Sequence, residues 1–128
     1  MKKHGIENGT AVTLTVGDAV IPATVNDNKA AQDLISRLPY TITLHRYEYD
    51  YCGVMDNPLE YDKKDEHNGW KNGDIDFAVV GNYFSILFDG EEVSESYSNM
   101  ITLGRIDEDL SVIKSLGNTI GITVALSE

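Results

Sequence analysis

The sequence predicts a mainly β protein, a closed barrel of short antiparallel strands with two short helices. Three observations point there. Apolar and polar residues alternate over short runs, glycine, proline and asparagine punctuate those runs at close intervals, and the regular strand and helix alternation of a parallel doubly wound sheet is missing. Closure is the economical arrangement, because an open sheet of this many short strands would leave edges unpaired.

The text AVTLTVGDAVIPATV places Val12, Leu14 and Val16 on one face and Thr13 and Thr15 on the other, then turns near Gly17 and Asp18, which predicts a hairpin. Pro22 has no backbone donor, so the second strand is expected at an edge or a bulge there. NDNKAAQDLISRLP then spaces Ala30, Ala31, Leu34, Ile35 and Leu38 as one helical stripe behind Asn and Asp caps, and Pro39 ends it. In YTITLHRY, Ile42 and Leu44 face inward while Thr41, Thr43 and His45 face out. Residues 47–71 are polar, rich in tyrosine and broken by Gly53, Pro58 and Gly69, so the expectation is a long excursion with one short strand.

Regular structure resumes in NGDIDFAVVGNYFSILFDG. Ile75, Phe77 and Val79 alternate before a turn at Gly81 and Asn82, and Phe84, Ile86 and Phe88 alternate after it. A strand over MITL, a short helix opened by Asp107 and closed by a left-handed Gly117, and a last strand over TIGITVAL complete the chain.

At 128 residues the chain is the size of one domain, read as a flexible N-terminal segment over 1–10 and a single barrel domain over 11–128. Asp and Glu number 21 against 10 Lys and Arg, a formal net charge of -11, which disfavours nucleic acid and anionic membrane surfaces as partners. The single cysteine, Cys52, cannot form a disulfide within the chain, and no apolar run reaches the length of a membrane span. A reduced, cytoplasmic setting fits both.

The blocks AAQDLISRLP (30–39), NGDIDFAVVGNYFSILF (72–88) and ITLGRID (101–107) resemble, in order and spacing, a bacterial family of small cyclophilin-like proteins. The resemblance runs from about Val20 to the end and implies an eight-stranded cyclophilin-like barrel with helices near its ends. The segment from Tyr49 to Trp70 departs from the pattern, which usually has a more apolar strand there. True cyclophilins carry a phenylalanine, histidine, arginine run and a glutamine, glycine, glycine, aspartate run around the substrate proline. Neither occurs here, and His45, Arg46 and Tyr47 are only an echo of the first.

Function must therefore stand on residues. Arg105 ends an apolar run. Either its guanidinium pairs with Asp107, Glu108 or Asp109 or caps exposed backbone carbonyls, or it sits at the barrel mouth with its fork offered to a ligand carbonyl or carboxylate. Tyr83, Tyr97 and Phe77 are the other candidates to line a pocket, and Tyr47, Tyr49 and Tyr51 would share one face of any strand formed there. His4, His45 and His67 stand in separate regions and no paired-cysteine or HExxH spacing occurs, so no metal or cofactor is assigned. No catalytic residue is assigned either: Cys52 has no histidine partner in sequence, and there is no GxSxG elbow. The expected function is a barrel that binds a small molecule or short peptide at one end without robust catalysis. A divergent prolyl isomerase and a structural interaction module that docks through its tyrosines are the alternatives.

Overall fold

The computed structural model describes residues 9–127. The N-terminal segment expected over 1–10 thus falls almost wholly outside the described residues, and Thr10 already begins the first strand. The elements are β1 (Thr10–Val16), β2 (Ala19–Val25), α1 (Lys29–Ser36), β3 (Tyr40–Arg46), β4 (Asp50–Val54), β5 (Asp74–Ala78), β6 (Tyr83–Leu87), β7 (Met100–Ile106), α2 (Leu110–Lys114) and β8 (Thr119–Leu126). Two 3-10 turns, Lys63–Asp65 and Glu91–Ser96, lie in the connections. The strands close in the order β1-β2-β7-β5-β6-β4-β3-β8, and all neighbours are antiparallel. Mainly β, closed, eight strands and two short α-helices is the fold class the sequence predicts.

Period-two alternation fills the barrel. Val12, Leu14, Ile21, Ala23, Leu44, Phe77, Phe84, Ile86, Ile101, Leu103, Ile122 and Val124 form one buried cluster, to which α1 adds Ala30, Ala31 and Leu34 and α2 adds Ile113. Each such Leu, Ile or Phe contributes roughly 1.5–3 kcal/mol relative to exposure, which is what holds so small a barrel shut. The helices serve opposite ends: α1 leads into the start of β3, while at the far end of β3 an Arg46 guanidinium nitrogen donates to the Lys114 carbonyl of α2 at 2.6 Å. Asn28 caps α1 by accepting from the Ala31 N–H at 2.9 Å.

A shift in register between β5 and β7 sets Ile75 opposite Gly104 and Asp76 opposite Thr102, leaving Leu103 without a partner on β5. The Leu103 carbonyl is taken by the Asn26 N–H at 2.8 Å. Gly104 has its own reason: a Cβ there would overlap the Thr24 carbonyl oxygen of β2. Pro22 is in no edge strand. It lies one residue outside the β2 to β7 ladder, which starts at Ala23, and its carbonyl accepts from the Asp107 N–H.

Two local expectations are corrected. Asp109, not Asp107, caps α2, accepting from the Ser111 N–H at 2.9 Å, while Asp107 accepts from the Thr24 hydroxyl. Gly117 is not among the left-handed glycines: α2 ends at Ser115, whose N–H bonds back into the helix.

Candidate functional site

Alternation also fixes which side chains face outward. Along β4 to β7 the inward set contains Tyr51, Ile75, Phe77, Phe84, Ile86 and Ile101, which leaves Asp50, Cys52, Asp74, Asp76, Ala78, Tyr83, Ser85, Leu87, Met100 and Thr102 on the outer face. The excursion after β4 comes back across this face. His67 pairs with Met100 as an isolated bridge, the Gly69 N–H donates to the Tyr97 carbonyl at 2.8 Å, and Trp70 packs on Leu87 and Met100 with Tyr49 and Ala78 beside them. A second, smaller apolar cluster thus forms outside the barrel.

Between this cluster and the outer ends of β4 and β6 lies a groove of about 270 Å³. Its walls are Tyr47, Tyr49, Trp70, Tyr83 and Tyr97, with Leu87, Ala78 and Met100 beneath. Trp70 is the fixed member. Its ring N–H donates to the Asp89 carbonyl at 2.8 Å, its backbone N–H donates to the Ser94 hydroxyl at 3.0 Å, and its ring meets Tyr97 at 5.1 Å and Tyr49 at 6.2 Å between centroids. Tyr49 is held from behind by Gly90, at φ 83°, where a Cβ would lie 2.6 Å from the tyrosine ring.

The floor is polar. Asp50 and Cys52 project from β4, and Ser85, directly opposite Cys52 on β6, completes the group. Burial pushes the Asp50 carboxyl up to about 6, with hydrogen bonding from the Cys52 thiol and the Ser85 hydroxyl offsetting part of that rise. Burial and then the neighbouring Asp50 charge push the Cys52 thiol up to about 12, so it is a proton donor and not a thiolate nucleophile at neutral pH. Glu48 is the other charged group on the lining, and no Lys, Arg or His joins it. The Glu48 charge is also the largest cause of the upward shift of the Tyr49 phenol, followed by burial and by Tyr97, Glu92 and Asp89.

The profile of the Cyclophilin-like family matches residues 14–126. The chain belongs to the cyclophilin-like family. Among solved structures, the solution structure of a hypothetical protein from Archaeoglobus fulgidus superposes with a TM-score of 0.72 over 98% of this chain and 100% of that one. At 13% identity the likeness is one of fold alone. No curated protein matches the chain.

This cyclophilin-like barrel brings together two of the four side chains singled out in the sequence. Tyr83 and Tyr97, both partly exposed, line the groove. Phe77 is fully buried inside the barrel, where Phe84 stands opposite it. Arg105 lies on the far side of the outer face and is already engaged. One guanidinium nitrogen donates to the Asp74 carboxylate at 2.9 Å, the other to the Asn72 carbonyl at 3.2 Å, and its Nε is buried without a hydrogen bond. The backbone carbonyl expected for the guanidinium is that of Asn72, and the carboxylate paired with it is Asp74, which the register sets opposite Arg105 on β5. The cation that does reach a barrel end is Arg46, stacked on Phe88 at 4.9 Å and Tyr51 at 5.6 Å.

The tyrosine trio is divided. Tyr51 turns into the barrel and its hydroxyl meets the Leu116 and Gly117 carbonyls at 2.8 and 2.7 Å, while Tyr47 and Tyr49 precede β4 and reach the groove. Sequence reasoning passed over Asp50 and Trp70. The signal for Asp50 was its alternation with Tyr51, and for Trp70 its being the one tryptophan, in an otherwise polar excursion. Among the described residues, no three His, Cys, Asp or Glu side chains converge as a metal ion requires, and no helix is long and apolar enough to cross a membrane. His4 lies outside the described residues.

Proposed function

We propose that this cyclophilin-like protein binds a small molecule or short peptide in the outer-face groove, without robust catalysis. The observation that carries the reading is the aromatic wall: four tyrosines and a tryptophan converge on a face that a barrel of this kind otherwise gives to solvent. Trp70 and Tyr49 are braced from behind, so the site is formed before a ligand arrives. Asp50 takes over the role of polar anchor that the sequence suggested for Arg105.

Weak catalysis follows from the donors present. Prolyl isomerisation crosses a barrier of roughly 20 kcal/mol, and an enzyme lowers it by aiming donors at the twisted amide. The groove offers neutral donors, the Cys52 thiol, the Ser85 hydroxyl and the tyrosine phenols, and no cation among the described residues. A net charge of -11 also supports partners other than nucleic acid or anionic membranes, and the lone thiol of Cys52 supports a reduced, cytoplasmic setting.

The test is amide shift mapping with a mixed small-molecule and peptide library, beside a coupled assay on a proline-containing peptide. Shifts are expected at Tyr49, Trp70, Tyr83 and Tyr97 with Phe77 and Arg105 unmoved, and isomerisation at the background rate. Shifts confined to another face, or acceleration that Arg105→Ala abolishes, would overturn the reading.

A further inference from the structure

We infer that the groove selects organic ammonium ions whose nitrogen carries methyl groups, with Asp50 as counter-ion and the tyrosine and tryptophan faces around the cationic head. The inference rests on the reading of the groove as a binding site and names what it takes. Both charged side chains on the lining, Glu48 and Asp50, are acidic. An anion would meet repulsion from both. A neutral apolar ligand would cover Asp50 and strip its remaining water without compensating its charge.

A methylated ammonium ion answers both needs. Its methyl groups pack on Leu87, Met100 and the rings, its charge is attracted by the negative faces of Tyr49, Trp70 and Tyr97, and it asks for no hydrogen-bond acceptors. A primary ammonium is more strongly hydrated, so it gives up more water on entering a lining made mostly of aromatic and apolar side chains. The contrast with Asp74 is instructive, since that carboxylate has Arg105 at 2.9 Å, whereas no cation among the described residues lines the groove beside Asp50.

The chain has one tryptophan and it stands in the wall, so its fluorescence reports on the groove directly. Choline and 3,3-dimethylbutan-1-ol, which replaces the nitrogen by carbon at nearly equal size, are titrated separately. Choline is expected to bind about tenfold or more tightly than the alcohol. Asp50→Asn should weaken choline several-fold and leave the alcohol as tight or tighter, so that most of the preference is lost and only the share of the rings and Glu48 remains. Choline affinity should also fall as pH drops below about 6, where Asp50 gains its proton. Glu48→Gln, on the exposed rim, weakens choline by about threefold and keeps the test decisive if the Asp50 variant does not fold. A peptide carrying trimethyl-lysine tells a side-chain source of the ammonium group from a free one, and tighter binding of either supports the inference. Equal binding of choline and the alcohol overturns cation selectivity while leaving a binding groove in place. Silence toward choline and the trimethyl-lysine peptide overturns it as well, and the library mapping then decides whether the groove reading falls too.

Discussion

Two buried carboxylate sites share the outer face of the β4-β6-β5-β7 half of the barrel, and they are finished in opposite ways. On one side Asp74 and Asp76 lie beneath the returning excursion with Arg105 built in. On the other, Asp50 lies at the floor of an aromatic groove with no cation among the described residues on its lining. Asp74 accepts from Arg105 and from the Lys71 N–H, yet burial still raises its pKa. Asp76 is more extreme. It is 0% exposed, and neither oxygen makes a hydrogen bond of normal geometry. Burial and the Asp74 charge push its pKa well up, and Arg105 and Thr102 offset only part of that. The closed site is charge-balanced from within and serves the fold. The open one waits for its balance from outside, which is how a structural ion pair and a binding site come to differ while using the same residue type.

The comparison breaks most readily at Arg105. Arg105→Ala leaves two buried carboxylates without their cation, and an expected loss of about 3–5 kcal/mol at pH 7 should appear in urea unfolding. Part of that loss should return on acidification, as Asp74 and Asp76 take up protons. An unchanged midpoint would mean that the guanidinium contributes nothing to the closed site.

Asp76→Asn sharpens the comparison from the other side. Removing a desolvated charge while keeping the shape should stabilise the protein at pH 7, read as a higher urea midpoint. The gain should shrink on acidification, as the wild-type carboxyl becomes neutral too. A loss of stability at neutral pH would show that the charge itself is needed beside Arg105.

The smallest effect is the share of Asp50 in the pH profile. Its folded pKa is raised, so between 3.8 and about 6 the native state binds more protons than the unfolded chain, and stability falls as pH rises through that window. Asp74 and Asp76 have the same sign. Two carboxyls are shifted the other way. Asp33 is held low by hydrogen bonds from the Glu60 N–H and Arg37 that outweigh its burial, and Asp109 by its bonds from Ser111. They contribute stability above the ordinary carboxylate range and lose it as pH falls. Melting temperature should therefore peak in mildly acidic buffer and decline toward neutrality. Asp50→Asn should flatten the slope between pH 4 and 6, and an unaltered slope would place Asp50 in water.

How far the chain could be read follows from the range of the physics involved. Alternation in AVTLTV, YTITLHR and DIDFA depends on neighbours one and two residues away, so strands, core faces and hairpins were legible, as was the helix behind Asn28. The same alternation turns Asp74 and Asp76 away from the core, and they are buried all the same because a segment distant in sequence covers them. Tyr83 and Tyr97 were legible as pocket candidates near the barrel ends, whereas the groove they line lies on the outer face. Phe77 was not separable from a pocket residue by pattern alone, since inward-facing and pocket-lining aromatics look identical along a strand.

By itself, then, the sequence determined a mainly β chain of short antiparallel strands and which side of each faces the core, because hydrophobic period and turn chemistry are local, while the count of eight came with the family resemblance. Only the tertiary structure decided where Arg105 finds its acid, since that depends on the β5 to β7 register and its bulge. It also decided that Trp70 returns to stand beside Tyr49 and Tyr97 over Asp50. Those meetings join residues far apart in the chain, and no periodicity within one segment encodes the distance between two of them.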